Sequence, residues 1–342
     1  MSDSARLDDR LGRGEVIILD GAVGTELQQM GVPMDNTAWA AMALETHPYT
    51  VRRMHELYVG AGVDVITTNT YSSARHNLEP LGLGDRTAEL NLRGVVLARE
   101  ARDRAARARP VLVAGSVSSF GIVTGGEPHG ALHRYSKPRS AITAEQARAN
   151  LREQAEILAE AGVDLLLAES TSGPELRRWV LDACLRTGLP TWVGFKCRVD
   201  PGDPTVKVGY SVDAPLAPHL DELMAVGGSV ATVFHTTVEA TTAAVPVVLD
   251  RWPGPVGVYP EAARTDYTAV AYDPREETPV SPAEFLAHAR RWVAQGVQVV
   301  GGCCGIGLEY IRPLREGLPA RIPAPWRRAP ARPSAPSVGT RL

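Results

Sequence analysis

Short runs of apolar, mostly β-branched residues recur along the chain. Each is followed by a stretch whose apolar positions gather on one helical face. The runs are Val16–Asp20, Val63–Thr68, Val111–Gly115, Asp164–Glu169, Trp192–Lys196, Ser229–Phe234, Val256–Tyr259 and Val297–Val300. Their apolar character is near-continuous rather than alternating, which predicts parallel strands covered on both faces. Between them, Thr50–Ala61 sets Val51, Met54, Leu57 and Tyr58 on one side, and Ala144–Ala161 does the same with Leu151, Ala155, Leu158 and Ala159. A third helix is predicted over Ser281–Gln295. Ser281 is a good N-cap, Pro282 fits the first turn and Glu284 completes a capping box. The tetrapeptide Ala-Gly-Val-Asp occurs twice, at Ala61–Asp64 and Ala161–Asp164, and its glycine predicts a left-handed helix cap just before a strand.

Eight strand–helix units in alternation predict an α/β chain folded as a single-domain (β/α)8 barrel, the TIM barrel, with a doubly wound open sheet as the alternative. The barrel is expected over residues 14–318, behind an N-terminal extension (1–13). The Pro- and Arg-rich tail (319–342) is expected to be disordered, with Trp326 tacking its first part onto the barrel. Residues 125–139, with His129 and His133, are expected to form a long loop over the barrel mouth, of the size that often serves as a lid.

A barrel of this kind carries its chemistry where the strands end. The strand ends deliver Asp20-Gly21, Asn69 with Tyr71, Gly115-Ser116, Glu169, Lys196-Cys197, His235, Tyr259 and Cys303-Cys304. Singly these read as turn residues or caps. Together at one rim they read as a site. Cys303 and Cys304 follow the turn glycines Gly301 and Gly302. Neighbouring thiols suit ordinary disulfide geometry poorly. They suit a thiophilic metal such as zinc. Two small residues packing a strand end are the plain alternative.

Composition narrows the function classes. The chain has 342 residues, 44% of them hydrophobic, and a formal net charge of −3. That balance gives no reason to expect a nucleic acid or an anionic membrane as partner. No apolar run approaches the ~20 residues of a membrane helix. Met1–Arg13 has no apolar leader core, so a cytoplasmic location is expected. Four unevenly spaced cysteines do not make a disulfide framework.

Several segments, in order, resemble the homocysteine S-methyltransferase family. They are Leu19-Asp20-Gly21-Ala22-Val23-Gly24-Thr25-Glu26-Leu27; Trp39; His55 and Tyr58; Ala61 through Tyr71; Val113-Ala114-Gly115-Ser116-Val117; Ala161 through Ser170; and Val300-Gly301-Gly302-Cys303-Cys304-Gly305, the most specific of them. The resemblance spans roughly residues 14–316. It implies a zinc-dependent barrel that moves a methyl group onto the sulfur of homocysteine, giving methionine. It further implies that Asp20 and Glu169 grip the amino group of homocysteine, beside Gly21 and Asn69. The donor would be a small sulfonium (S-methylmethionine or S-adenosylmethionine), with a betaine-type donor as alternative. Trp39 and Tyr71 are candidates to hold the donor's cation on an aromatic face, although either can equally be a packed ring. The partners expected are these small molecules.

The sequence departs from the family at strand six. The family places its third zinc ligand there in an Asn-Cys pair, where this chain has Phe234-His235. Three explanations compete. His235 is the ligand, giving a Cys2His site with Cys303 and Cys304. Alternatively Cys197, from strand five, restores a third sulfur. Or the metal is lost and the barrel is a binding or regulatory protein. The first is preferred, because the replacement can still coordinate. Further departures, Glu261-Ala262-Ala263 after Tyr259-Pro260 and Ile306-Gly307-Leu308 after Gly305, also fall at the mouth. They suggest a changed acceptor or donor, with Glu261 adding negative charge that would suit a cation.

Overall fold

The computed structural model describes residues 3–106, 109–124, 127–128, 141–209, 212–262 and 280–323. Eight parallel strands form one sheet: β1 (Ile17–Ile18), β2 (Val65–Thr67), β3 (Leu112–Ser118), β4 (Leu165–Ser170), β5 (Thr191–Phe195), β6 (Val230–Thr237), β7 (Val256–Glu261) and β8 (Val299–Val300). Each pairs in register with its neighbour in chain order, and β8 pairs with β1. A parallel bridge from Leu19 to Val65 joins β1 to β2 and closes the ring. The predicted (β/α)8 barrel is therefore the fold, and the open-sheet alternative falls.

Parity along each strand separates two apolar populations. Ile17, Leu19, Val65, Leu112, Leu165, Leu167, Trp192, Val230 and Val299 fill the barrel interior. Their neighbours Ile18, Ile66, Val113, Leu166, Val193, Val233 and Val258 face the helices. Burial on both faces is why the runs read as continuous. The predicted helices appear as Pro48–Ala61, Ala144–Glu160 and Pro282–Gln295. The last opens on the capping box of Ser281 and Glu284.

The N-terminal extension contains a helix, Asp3–Gly12, whose Leu7 and Leu11 join the interior cluster and cover the barrel end where the strands begin. The repeated Ala-Gly-Val-Asp motif has a common logic. Gly62 and Gly162 take positive φ (99° and 85°). The aspartate that follows accepts the amide of the preceding strand: Asp64 from Ile18 at 2.9 Å, Asp164 from Val113 at 2.7 Å. Asp64, nearly buried, also binds Arg10 at 2.9 Å and pairs with Arg315. It thereby ties the N-terminal and C-terminal helices to the barrel floor. Asp64→Ala is expected to cost about 2–3 kcal/mol, below the usual figure for a fully buried pair because both arginines are part-exposed. A lowered denaturation midpoint at unchanged slope would show it.

Sequence periodicity gives no sign of a two-stranded ribbon over the mouth, Cys197–Asp200 with Asp203–Val208. The tail beyond residue 323, including Trp326, lies outside the described residues. So does the expected lid, apart from Glu127–Pro128, which pair with Val123–Thr124. Ile322, at the start of the tail, is buried, and Arg321 bridges to Glu15. Among the described residues no helix is long and apolar enough to cross a membrane.

Candidate functional site

The strand ends converge as the fold requires. β8 stops at Val300, and the chain turns through Gly301 and Gly302. A side chain on Gly302 would come within 2.1 Å of Ile306. The turn is pinned by Cys303 N to Pro260 O (2.7 Å) and by Ala262 N to Cys304 O (2.8 Å). Both thiols are thereby locked to the end of β7. The sulfurs lie 3.9 Å apart, with Cys303 the donor.

His235 reaches them by a break in β6. Residues 231 and 233 face the helices, so a regular strand would turn residue 235 the same way. Instead the register slips by one residue between Phe234 and Thr237, and His235 adopts φ 47°. A bulge re-aims a side chain in this way. For a residue with a Cβ the left-handed region costs about 1–2 kcal/mol. The imidazole Nδ1 comes to 3.4 Å from Cys303 Sγ. The ligand atoms of His235, Cys303 and Cys304 all lie within 4.8 Å of one another, close enough to share one metal ion. Cys197, by contrast, is fully buried at the base of the ribbon and is not in this group. Phe234, where the family has Asn, packs inside the barrel with its ring centroid 5.5 Å from that of Tyr259.

The electrostatics set one sulfur apart. The thiol of Cys303 donates to Cys304 and, with the imidazole beside it, holds Cys304 well below the usual thiol range against the opposing effect of burial. Cys303, sharing that proton and buried, is pushed up. Burial works against a charged His235. The Glu261 carboxylate and Cys304 outweigh it, and the imidazole pKa is raised.

Two carboxyls share the mouth. Glu169, at the end of β4, is hydrogen-bonded by the Ser116 hydroxyl. Burial pushes its pKa up to about 7, with the hydroxyls of Ser116 and Tyr259 opposing. The Tyr259 Oη is itself buried with no hydrogen-bond partner of ordinary geometry. Asp20 accepts Thr67 N at 2.7 Å and Thr67 Oγ1 at 2.8 Å. It does not cap the following helix. Burial pushes it up to about 8, against the Thr67 bonds and with help from Glu169. Gly21 is required by crowding: a Cβ there would sit 2.3 Å from Ile306 O.

The other candidates divide. Tyr71 packs against the interior cluster, as Cys303 does, and stacks at 5.6 Å on Phe120. Its hydroxyl is pushed well up by burial, then by Glu169 and both cysteines. Trp39, also at positive φ (47°), sits against Gly24, where any Cβ would meet its Nε1 at 2.2 Å. Asn69 gives its amide to Ala40 O at 2.8 Å and so holds the loop that carries Trp39. Glu261 differs from expectation. Its charge is answered by Lys196 Nζ at 3.4 Å, a lysine with no solvent exposure. The sequence names Lys196 as a strand end and Glu261 as a residue of the mouth but carries no signal that they pair.

The comparisons agree with this architecture. A family model described as homocysteine S-methyltransferase matches residues 17–318. A selenocysteine methyltransferase of Astragalus bisulcatus is 28% identical, over 87% of this chain and 91% of its own length. A homocysteine S-methyltransferase of Escherichia coli (strain K12) is 29% identical, over 89% and 96%. The crystal structure of the homocysteine methyltransferase MmuM from Escherichia coli in metallated form superposes with a TM-score of 0.70 at 26% identity, covering 91% of this chain and 98% of that one. With the barrel, the paired cysteines and a match over nearly the whole domain in agreement, this chain, a methyltransferase, belongs to the homocysteine S-methyltransferase family.

Proposed function

We propose that this barrel transfers a methyl group from a small sulfonium donor, S-methylmethionine or S-adenosylmethionine, to the thiol of homocysteine, giving methionine, with zinc held by His235, Cys303 and Cys304. The observation that carries the reading is the spacing of the three donors. Zinc at about 2.3 Å from sulfur and 2.0–2.1 Å from nitrogen, in tetrahedral geometry, keeps ligand atoms about 3.5–3.8 Å apart. The separations of 3.4 Å and 3.9 Å lie just either side of that window, and all three ligand atoms fall within 4.8 Å of one another. Two thiols and an imidazole are a donor set typical of zinc, and three protein ligands leave one position for a substrate.

A bound zinc would lower the pKa of an incoming thiol and so supply thiolate at neutral pH. The chain's own residues do the rest. Glu169 and Asp20 receive the substrate ammonium and orient its sulfur toward Cys303 and Cys304. Tyr259 Oη, buried beside Glu169, offers a hydrogen bond to the same end of the substrate. Tyr71, packed on the same interior cluster as Cys303, is the aromatic face for the donor's cation. In the transfer, the acceptor sulfur's electron pair forms the new S–CH3 bond. The donor's S–CH3 bond breaks, its electrons neutralise the sulfonium, and the thiol proton leaves to solvent.

The decisive assay is methionine formation from homocysteine with each sulfonium donor and with a betaine, run alongside metal analysis. About one zinc per chain with turnover on a sulfonium is the expected result. A folded, metal-free protein that is inactive with every donor would favour a binding barrel and refute the proposal. Selenocysteine belongs in the acceptor series. A selenol is more acidic than a thiol and asks less of a site whose imidazole has replaced a thiolate.

The carboxyl pKa values set the pH dependence. Only the ionised carboxylate attracts an ammonium. Glu169 near 7 and Asp20 near 8 are therefore partly uncharged at neutral pH. The KM for the amino-acid thiol is expected to fall as pH rises from 6 to 8, by about tenfold for Glu169 alone. In Glu169→Gln that component of the slope should vanish. A flat wild-type profile would remove Glu169 from substrate binding.

A further inference from the structure

Lys196, His235 and Glu261 end three consecutive strands, β5, β6 and β7, and all three differ in kind from the apolar side chains that fill the barrel below them. Lys196 is fully buried and Glu261 nearly so. Lys196 Nζ donates to the backbone carbonyl of His235 at 2.7 Å and lies 3.4 Å from Glu261 Oε1. The other oxygen, Glu261 Oε2, lies 3.4 Å from His235 Nδ1. One charged pair thus holds both the main chain and the ring of a residue in a left-handed bulge. Burying an ammonium and a carboxylate is costly, and as a source of stability such a pair is weak compared with apolar packing. What it supplies here is placement.

We infer that Lys196 and Glu261 form a positioning clip for His235. The lysine braces the bulge through the carbonyl, and the carboxylate meets Nδ1, the same nitrogen that lies 3.4 Å from Cys303 Sγ, and so fixes the ring edge that faces the cysteines. Groups packed behind a metal-binding histidine fix its ring orientation, and with it the affinity of the site. Glu261 stands outside the three-residue ligand group, so it acts through His235 and is a positioning residue rather than a ligand. The Lys196–Glu261 pair is neutral as a whole, so it sets a carboxylate beside the ring without burying an unpaired charge.

The inference rests on His235 being a metal ligand, and the experiment separates the two. Full-length protein is stripped of metal. Zinc affinity is then measured by competition with a chromophoric chelator, and the cobalt-substituted form is read by its visible absorption. Glu261→Gln and Lys196→Met are each expected to weaken zinc binding about 10–100-fold and to shift the cobalt spectrum. The double variant Lys196→Met/Glu261→Gln, which leaves no unpaired buried charge, should regain the stability lost in either single variant but not the affinity. In a His235→Cys background, Glu261→Gln should leave zinc affinity unchanged, because the imidazole is gone. Wild-type affinity and spectrum in both Glu261→Gln and the double variant, with zinc still bound through His235, would overturn the clip alone. Failure of the wild type to bind zinc would overturn the metal reading and the clip with it.

Discussion

Cys303→Ser is expected to lose its metal and, with it, turnover by about 10³-fold or more, a larger effect than the about 100-fold ceiling for partners behind the ligands. The serine hydroxyl is nearly isosteric, and the turn that carries it is held by backbone bonds, Cys303 N to Pro260 O and Ile306 N to Cys303 O, that the substitution keeps. Folding should therefore survive, and the loss should be chemical. Two measurements on one sample decide it: metal content by atomic spectrometry and initial rate with homocysteine. Without metal, a thiol of ordinary pKa near 8.5 presents only a small thiolate fraction at neutral pH. The residual rate should accordingly climb with pH more steeply than that of the wild type. A variant that kept both its zinc and its rate would remove Cys303 from the site.

His235→Ala is the second large effect. It removes the imidazole that lies 3.4 Å from Cys303 and leaves two sulfurs, too few to hold an ion firmly. Zinc content after dialysis and the rate should both collapse. Alanine is as strained as histidine at φ 47°, so the bulge itself gains nothing from the change. His235→Cys is the informative partner. It restores the residue type that the family carries at this strand end and should retain zinc, with three negative ligands in place of two. If His235→Ala kept full zinc and full turnover, the third ligand would have to come from elsewhere. Cys197, which lies outside the group, would then have to reach in from the base of the ribbon.

Much of this was legible along the chain. The eight strands were readable because burial on both faces leaves continuous β-branched runs. The capping box at Ser281 and the cap glycines were readable because they are local chemistry. The paired cysteines were readable because two turn glycines set them apart from a core. Other features had no local sign. Asn69 gives an amide hydrogen to Ala40, a partner 29 residues away. Glu261 was expected to add negative charge near the pocket, and it meets a lysine 65 residues away.

The sequence alone therefore determined the barrel, its order of strands and the rim on which the polar residues stand. Periodicity and turn chemistry are written in neighbouring residues, and parallel strand–helix units close in few ways. Only the tertiary structure decided which of those rim residues meet. It turned His235 out of its strand's parity toward Cys303 and Cys304, left Cys197 aside, and joined Lys196 to Glu261 beneath the ring. The reason is physical: contacts between strand ends depend on register and on a single bulge, and a one-residue slip exchanges the two faces of a strand without changing a letter of its composition.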